Sequence, residues 1–359
     1  MKRMILMATF AIVSSFSQNV VACTGITLRT ISGSTVTART IEWAGNDLES
    51  KYSIVPRGYS QRSFTPDGKK DGMMFTAKYG YVGLAVEQAE FVVEGVNEAG
   101  LAAGLFYFPG YGEYETYSET NKEKTVSDLQ LVSWILSNFK SINEVKDAIY
   151  GIHVVTIDPR GSTVHWRITE PGGRQVVVEI VGKQVRFYEN KLGVLTNSPG
   201  FDWHITNLNN YTNLFAGPIY TREVGELTLT AFGGGGGLHG IPGDMTPPSR
   251  FVRAAFFQAT APKLATPEKT VMQAFHILNN FDIPTGIQFS EVQKVPDIPS
   301  ATQWTVATDI ANRRIYYRTM HNSTIRCFDL KAINFAKVKY QSAPLDVQKV
   351  QPVEMMKIK

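Results

Sequence analysis

The sequence predicts an α+β fold in which helices cover both outer faces of two stacked antiparallel sheets. Two observations support this prediction. The hydrophobic pattern changes along the chain in the order strands, helices, strands, helices, strands. No change of composition divides the 359 residues, so we predict a single domain, residues 23–359, after a short leader.

The first block of the chain, up to about Tyr117, is rich in strand signals. β-Branched and polar residues alternate on both sides of Ser32-Gly33, which predicts a hairpin. An apolar run between Gly100 and Pro109 is typical of a strand buried on both faces. The strands predicted in this block are 25–28, 34–39, 81–86, 90–95 and 101–108.

The pattern then changes to helical spacing between Ser127 and Ile149, where Ser141 is expected to cap a second helix rather than continue the first. Helical spacing returns at 250–259 and 268–281. The remaining predicted strands are 154–158, 163–169, 175–181, 184–189, 304–309, 313–319 and 325–330.

Residues 1–22 have the pattern of an export signal. Lys2 and Arg3 form a basic start, residues 4–13 are apolar, and the small residue Ala22 precedes Cys23. The apolar stretch is too short to span a bilayer, and no later segment approaches the roughly 18 apolar residues that a membrane helix needs. We therefore expect a periplasmic or secreted protein without a membrane segment after removal of 1–22. The alternative is a buried N-terminal helix.

Charge and composition narrow the possible partners. The formal net charge is +4, and it falls to +2 when Lys2 and Arg3 are removed, since 34 basic then face 32 acidic residues. So small a surplus gives no reason to expect nucleic acid or an anionic membrane as a partner. Hydrophobic residues make up 43% and charged residues 19%, as in globular proteins.

The chain has two cysteines, Cys23 and Cys327. A disulfide between them is one interpretation, although exported proteins that depend on disulfides usually contain more. The position of Cys23 directly after the predicted cleavage point suggests a chemical role instead. A terminal cysteine carries its own base, because an α-amine of pKa near 7.7 to 8.0 can accept the thiol proton.

A terminal cysteine makes a catalytic histidine unnecessary. None of the six histidines has metal-ligand spacing with another histidine or with a cysteine, so we expect no metal. The run of glycines at 233–237 lacks a following helix with Lys-Ser or Lys-Thr, so it predicts a surface loop rather than a phosphate site. We expect no cofactor.

Five ordered segments together resemble one known family. They are CTGITLRT, TARTIEW, GVNEAGLAAGLFYFPGY, LTNSPGFDWHITNLNNY and GIPGDMTPPSRFVRAAF. These segments are similar to those of the choloylglycine hydrolase family, which contains penicillin V acylases and conjugated bile salt hydrolases. The resemblance covers essentially all of the chain after Ala22. It implies an N-terminal nucleophile hydrolase fold, a four-layer αββα sandwich that agrees with the predicted order of elements.

The resemblance implies roles for three residues of the first hairpin. Cys23 is the expected nucleophile, with its α-amine transferring the proton. Arg39 matches the arginine that lies beside the thiol and favours the thiolate by its charge. Glu42 stands where family members commonly have Asp, which holds the α-amine. It is one methylene longer, which puts the geometry at this position in question.

Three further catalytic residues follow from later motifs. Asn197 matches the asparagine whose side-chain amide donates to the oxyanion of the tetrahedral intermediate. Tyr107 matches the position that supplies a backbone N–H to the same oxyanion, with the alignment anchored on Pro109-Gly110. Arg250 matches a second active-site arginine, expected to stabilise charge near the thiolate.

The expected substrate is a small molecule with a linear amide bond and an apolar or aromatic acyl group. Trp43, Phe106 and Phe108 are candidates to bind that group, although each also suits an ordinary core. Tyr107 favours a penicillin V acylase, since bile salt hydrolases tend to carry Asn there. A conjugated bile salt hydrolase and an acyl-homoserine lactone acylase remain alternatives. By analogy with relatives, the protein is expected to form a homotetramer.

A function of another class also fits the leader. The sequence Val20-Val21-Ala22-Cys23 resembles a lipoprotein processing site, in which Cys23 carries lipid and anchors a non-catalytic binding protein. Acylation of the α-amine would remove the proposed base, so the two hypotheses exclude each other.

Overall fold

The computed structural model describes residues 21–157 and 162–358. In chain order, the strands are β1 (Val21–Arg29), β2 (Thr35–Trp43), β3 (Lys51–Val55), β4 (Ser60–Arg62), β5 (Met74–Thr76), β6 (Tyr81–Ala85), β7 (Val92–Asn97), β8 (Ala102–Tyr107), β9 (Thr125–Ser127), β10 (His153–Val155), β11 (Val164–Thr169), β12 (Gln175–Val181), β13 (Gln184–Glu189), β14 (Arg222–Val224), β15 (Leu227–Leu229), β16 (Thr302–Asp309), β17 (Arg314–Thr319), β18 (Arg326–Asp329) and β19 (Gln341–Pro344). The α-helices are α1 (Leu131–Asn138), α2 (Ile142–Ile149), α3 (Phe201–Asn207), α4 (Pro247–Thr260) and α5 (Pro267–Leu278).

Two antiparallel sheets form the centre of the molecule. One has five strands in the order β1-β2-β16-β17-β18, and the other has eight in the order β13-β12-β11-β8-β7-β6-β3-β19. Inner strands of both sheets are buried along their whole length: all six residues of β7 and all eight of β16 are buried. Such continuous burial is expected of strands covered on both faces.

Helices cover the outer faces of both sheets. Helices α4 and α5 pack on the five-stranded sheet, and α1 packs on β7 and β8 of the eight-stranded sheet. Helix α2 inserts Ile142, Val145 and Ile149 into the same core. The predicted four-layer αββα sandwich is therefore confirmed. In the part of the chain that the structure describes, no helix combines the length and apolar character needed to cross a membrane.

Local sequence signals predicted several elements well. Gly33 has φ +88° in the turn of the β1–β2 hairpin, a conformation that glycine adopts without strain. The Ser141 hydroxyl accepts from the backbone N–H of Glu144 at 3.2 Å, so this residue caps α2 as expected. The predicted strands 175–181 and 184–189 coincide with β12 and β13.

Other elements carry weak local signals and were not predicted. Strand β3 lies between β6 and β19, and its pairing with β19, almost 300 residues later, has the register Tyr52 to Ala343. Helix α3 buries only Phe201 and His204, too few for a clear helical stripe. The predicted strand 154–158 is shorter in the structure and ends at Val155, while residue 158 lies outside the described residues.

The two cysteines lie at opposite edges of the five-stranded sheet. Cys23 is in β1 and Cys327 is in β18, with three strands between them. Four steps of about 4.8 Å place these strands roughly 19 Å apart, far beyond the reach of a disulfide. Both thiols are free, Cys23 buried and Cys327 exposed. The structure thus contradicts the disulfide interpretation.

Candidate active site

Cys23 is the third residue of β1 and lies opposite Ile41 of β2. Strand β1 is an edge strand of its sheet, and the segment before Asn197 forms a backbone bridge with its outer side. Gly25 and Leu195 exchange two backbone hydrogen bonds, of 2.7 and 3.1 Å. This bridge brings the segment that contains Asn197 alongside the residue that contains the thiol.

Arg39 holds the sulfur of Cys23. It belongs to β2, is completely buried, and donates from Nη2 to Cys23 Sγ at 2.8 Å. Its remaining donors bind backbone carbonyl groups, with Nε on Thr40 at 3.2 Å and Nη1 on Val93 at 3.3 Å and on Leu105. The guanidinium is therefore fixed in the interior, with one edge directed at the thiol.

Burial and nearby charges act in opposite directions on the thiol. Burial raises the pKa of Cys23, and the positive charge of Arg39 is the largest opposing effect. Glu42 raises this pKa, while Arg250 and a backbone hydrogen bond from Tyr107 lower it. The thiolate is thus favoured by the two arginines and disfavoured by exclusion of water.

Asn197 contacts the other end of Cys23. Its Oδ1 accepts from the backbone nitrogen of Cys23 at 2.9 Å and from Arg250 Nη2 at 2.7 Å. Its Nδ2 donates to the carbonyl of Tyr107 at 2.7 Å. Because an amide nitrogen carries two hydrogens, a second N–H remains for a bound substrate.

Arg250 fixes the backbone around the nucleophile. It lies in the first turns of α4, where Pro247 begins the helix and Arg250 is completely buried. Nη1 donates to the Cys23 carbonyl at 2.5 Å and to the Thr24 hydroxyl at 2.8 Å, and Nε donates to the Met245 carbonyl at 2.9 Å. A single guanidinium therefore connects the helix, the terminal strand and Asn197.

Glu42 is an unusual buried acid. It lies opposite Ala22 in the β1–β2 pair, and neither carboxylate oxygen makes a hydrogen bond of normal geometry within the described residues. Burial raises its pKa to about 7, against the lowering effects of Arg250, the Thr40 hydroxyl and Arg39. A carboxyl group in this state can accept or release a proton near neutral pH.

Ala22 is the cross-strand neighbour of this acid. Its side chain is buried in a small apolar cluster with Ala44, Ile283 and Ala301. Cys23 itself is only 2% exposed. In this chain, the nitrogen of Cys23 is a peptide nitrogen and its thiol is buried.

The predicted aromatic residues occupy different environments. Trp43, at the end of β2, is partly exposed and donates from Nε1 to Asn46 Oδ1 at 2.7 Å. Phe106 and Phe108 are completely buried, Phe106 beneath the Arg39 guanidinium at 4.0 Å and Phe108 stacked on His165 at 4.4 Å. A substrate-binding role for the three residues stays a prediction, and the burial of Phe106 and Phe108 favours a structural role for them.

The structure also adds two charged residues that sequence inspection missed. Glu94 of β7 lies 3.6 Å from Arg39 Nη1 and 3.4 Å from Arg167 Nη2 of β11. The sequence does contain a signal for both residues. Each is the one acidic or strongly basic residue in a strand whose six residues are all buried. Within the described residues, no group of three or more His, Cys, Asp or Glu side chains is arranged to hold a metal ion.

The chain is similar to known amide hydrolases. It matches the model for linear amide C–N hydrolases of the choloylglycine hydrolase family over residues 23–348, so the match begins at Cys23. It is 32% identical over 324 residues to a bile salt hydrolase/transferase of Clostridium perfringens, covering 87% of this chain and 93% of that protein.

Two further comparisons agree. A penicillin V acylase of Pectobacterium atrosepticum is 26% identical over 339 residues, which cover 87% of this chain and 81% of that protein. A crystal structure of a mutant conjugated bile acid hydrolase from Clostridium perfringens has a TM-score of 0.80 at 28% identity. It covers 93% of this chain and 100% of that one.

Proposed function

Since the chain belongs to the choloylglycine hydrolase family and is a linear amide C–N hydrolase, we propose that it attacks its substrate with Cys23 as a new N-terminal residue. The observation that carries this proposal is that both reactive groups of one residue are held separately. Arg39 binds the sulfur at 2.8 Å, and Asn197 binds the nitrogen at 2.9 Å.

The proposed reaction begins when the α-amine takes the proton of the Cys23 thiol. The thiolate adds to the amide carbonyl and forms a tetrahedral intermediate. Asn197 Nδ2 and the backbone N–H of Tyr107 donate to its oxyanion. The α-ammonium then protonates the leaving amine as the C–N bond breaks. Water hydrolyses the remaining thioester, which releases the acid and restores the thiol.

Processing is a condition of this mechanism. The buried contacts of Ala22 and the 2% exposure of Cys23 support a precursor that is closed to substrate. We propose that removal of residues 1–22 during export exposes the thiol and frees the α-amine at the same time. The new ammonium would lie near Glu42, whose carboxylate makes no hydrogen bond of normal geometry among the described residues.

We favour an amide with an aromatic or apolar acyl group, of the penicillin V type. Support comes from Tyr107, which ends β8 with its backbone hydrogen-bonded to the thiol and its side chain half-buried. Trp43 is the last residue of β2, close to the position opposite Cys23, and its side chain is partly exposed. It is the candidate to bind the acyl group. The penicillin V acylase of Pectobacterium atrosepticum matches 87% of the chain.

A conjugated bile salt is the second candidate substrate. It is favoured by the higher identity of 32% with the bile salt hydrolase/transferase of Clostridium perfringens. Release of amine from penicillin V, glycocholate and an acyl-homoserine lactone, measured side by side with purified protein, ranks the three classes. The largest kcat/KM identifies the acyl group that the site accepts.

The intact mass of the exported protein tests the mechanism. A mass that begins at Cys23, together with amide hydrolysis, supports the proposal. A mass increase from lipid on Cys23 would instead support the anchored binding protein, because an acylated nitrogen is no base. A chain that hydrolyses amides while still carrying Ala22 would contradict the role of the α-amine.

A further inference from the structure

We propose that Glu94 and Arg167 are positioning residues that hold Arg39 against the thiol and leave this buried cluster one positive charge in excess. The inference rests on the proposed role of Cys23 and extends it from the residues that touch the sulfur to two that act through Arg39. Glu94 and Arg167 come from the eight-stranded sheet, whereas Arg39 and Cys23 come from the five-stranded one.

The three side chains form a chain of contacts across the space between the sheets. Glu94 Oε2 lies 3.6 Å from Arg39 Nη1, and Glu94 Oε1 lies 3.4 Å from Arg167 Nη2. All three side chains are at most 3% exposed. Arg39 Nη2 extends this chain to Cys23 Sγ at 2.8 Å.

The surrounding residues leave space for this cluster. The Phe106 ring lies close to both guanidinium groups, 4.0 Å from that of Arg39 and 5.3 Å from that of Arg167. A Cβ atom at position Gly104 would lie 2.0 Å from Glu94 Oε2, and one at Gly25 would lie 2.8 Å from Arg167 Nη1. Side chains at these two positions would displace the charged groups.

The hydrogen bonds of Arg167 are longer than expected for a residue whose role is only to stabilise the fold. It reaches Glu94, the Ile26 carbonyl and the Ala38 carbonyl at 3.4 Å each, whereas charge-assisted bonds are usually about 2.7 to 2.9 Å. Burial lowers its pKa, against the attraction of Glu94. A buried cation so weakly compensated costs stability, which calls for another reason to keep it.

Charge counting gives that reason. Arg39 and Arg167 carry two positive charges and Glu94 carries one negative charge, so the cluster has a surplus of one. A thiolate on Cys23 neutralises this surplus. Without Arg167, the Glu94 carboxylate alone would balance Arg39, and the sulfur would keep its proton.

The other charged side chains that face the thiol do not alter this sum. Arg250 of α4 and Glu42 of β2, once ionised above its pKa of about 7, carry opposite charges. The α-amine of the processed protein is the same in every variant compared. Strand β8 contributes only the backbone of Tyr107, and the segment before α3 contributes the neutral amide of Asn197. The surplus therefore comes from Arg167, which touches neither the sulfur nor the nitrogen of Cys23.

The test measures the thiol pKa without turnover. In processed protein carrying Cys327→Ser, the rate of Cys23 alkylation by iodoacetamide is followed by mass from pH 5 to 10. We expect Arg167→Met to raise the thiol pKa by about one unit and Glu94→Gln to lower it by about one unit. The double variant restores the surplus and should return the pKa to the parent value.

Arg174→Met and Glu189→Gln are the matched controls, because they make the same exchanges in a partly exposed ion pair. Shifts of the same sign in both single variants, or shifts no larger than in these controls, would overturn the proposal. If a single variant does not fold, Arg167→Lys and the double variant decide, since both keep the surplus. A thiol pKa in Arg167→Lys or in the double variant that is one unit above that of the parent protein would then contradict the proposal.

The readout separates this inference from the proposed function. Loss of amide hydrolysis in the parent protein, or full activity after Cys23→Ser, contradicts the nucleophile whatever the alkylation data show. Opposite pKa shifts in an active parent support both. If the parent is active but the pKa of Cys23 is unchanged in the Glu94 and Arg167 variants, the inference is contradicted and the proposed function is not.

Discussion

Ala22 lies directly opposite Glu42 in the β1–β2 pair, so the residue before Cys23 is the neighbour of a buried carboxyl group that makes no hydrogen bond of normal geometry within the described residues. Removal of Ala22 would replace a peptide bond beside that acid with an amine. The same carboxyl group is therefore unfavourable when ionised beside the peptide bond, and it would gain an oppositely charged partner if the chain began at Cys23.

This relationship predicts a pH-dependent stability of the precursor. The pKa of Glu42 is raised from 4.5 to about 7 in the folded chain, so its ionisation above that pH weakens folding. The folded state binds the proton more tightly, so stability is greatest below about pH 4.5 and falls as pH rises through 7. Glu42→Gln should therefore stabilise the unprocessed chain by about 3 kcal/mol at pH 8 and leave it unchanged at pH 4.

Urea unfolding at pH 4 and pH 8 measures this difference. In a chain that begins at Cys23, the proposed α-ammonium would compensate Glu42, and the gain at pH 8 should vanish. Asp128→Asn is the control, since burial also raises the pKa of Asp128 to about 7, while its partners are the backbone N–H groups of Leu129 and Ile157 and the side chain of Thr156. Its pH dependence should not change on processing. An equal gain from Glu42→Gln in both forms would contradict the pairing.

Replacement of the nucleophile should abolish turnover. We expect Cys23→Ser to lower kcat by at least about 10³-fold with the fold intact, since a hydroxyl is a poorer nucleophile than a thiol in a site built for sulfur. Cys327→Ser, at the far edge of the sheet, should keep parent activity. Circular dichroism of both variants checks the fold, and parent-like turnover by Cys23→Ser would disprove the mechanism.

Loss of the Asn197 amide should reduce kcat. Asn197→Ala removes the proposed oxyanion donor, which typically costs about 10² to 10³ in rate. Asn97→Ala is a matched control, because Asn97 is also a buried asparagine that binds backbone carbonyls, those of Leu136 and Phe139. We expect the control to lower the melting temperature without lowering kcat. Similar kcat values for the two variants would contradict the role of Asn197.

The geometry of Arg250 predicts that lysine cannot replace it. A lysine amine cannot reproduce the planar fork that joins the Cys23 carbonyl, Asn197 Oδ1 and the Met245 carbonyl. We expect Arg250→Lys to lower kcat by about 10- to 100-fold. Arg253→Lys, one turn further along α4 and bound to the carbonyls of Pro242 and Asp244, serves as the control. A larger loss in the control would assign the effect to the helix rather than to the site.

Much of the architecture was predictable because its signals are local. The β1–β2 hairpin follows from alternation around Ser32-Gly33, and the break between α1 and α2 follows from the Ser141 cap. The motifs also indicated which residues surround Cys23. Arg39, Asn197 and Arg250 all contact it directly. These contacts show where the three residues lie and leave their catalytic roles as predictions.

The remaining features depend on pairing between distant strands. Glu94 and Arg167 meet Arg39 only because β7, β8 and β11 are neighbours in one sheet and stack on β2 of the other. The hydrophobic periodicity of a sequence predicts single strands and helices, and it does not indicate which strands of two different sheets come into contact. The motif comparison anticipated a donor at Asn197, but the acceptance of two hydrogen bonds by its Oδ1 depends on where α4 places Arg250.

The length of β1 determines how precisely Cys23 would be positioned if the chain began there. Terminal residues usually fray and sample many conformations. Here the register runs without interruption from Cys23 opposite Ile41 to Arg29 opposite Thr35. A cut before Cys23 would leave this ladder whole, so the first residue of the shortened chain would lose little conformational entropy when it meets a reacting carbonyl, and its sulfur would stay within the narrow tolerance that bond formation requires.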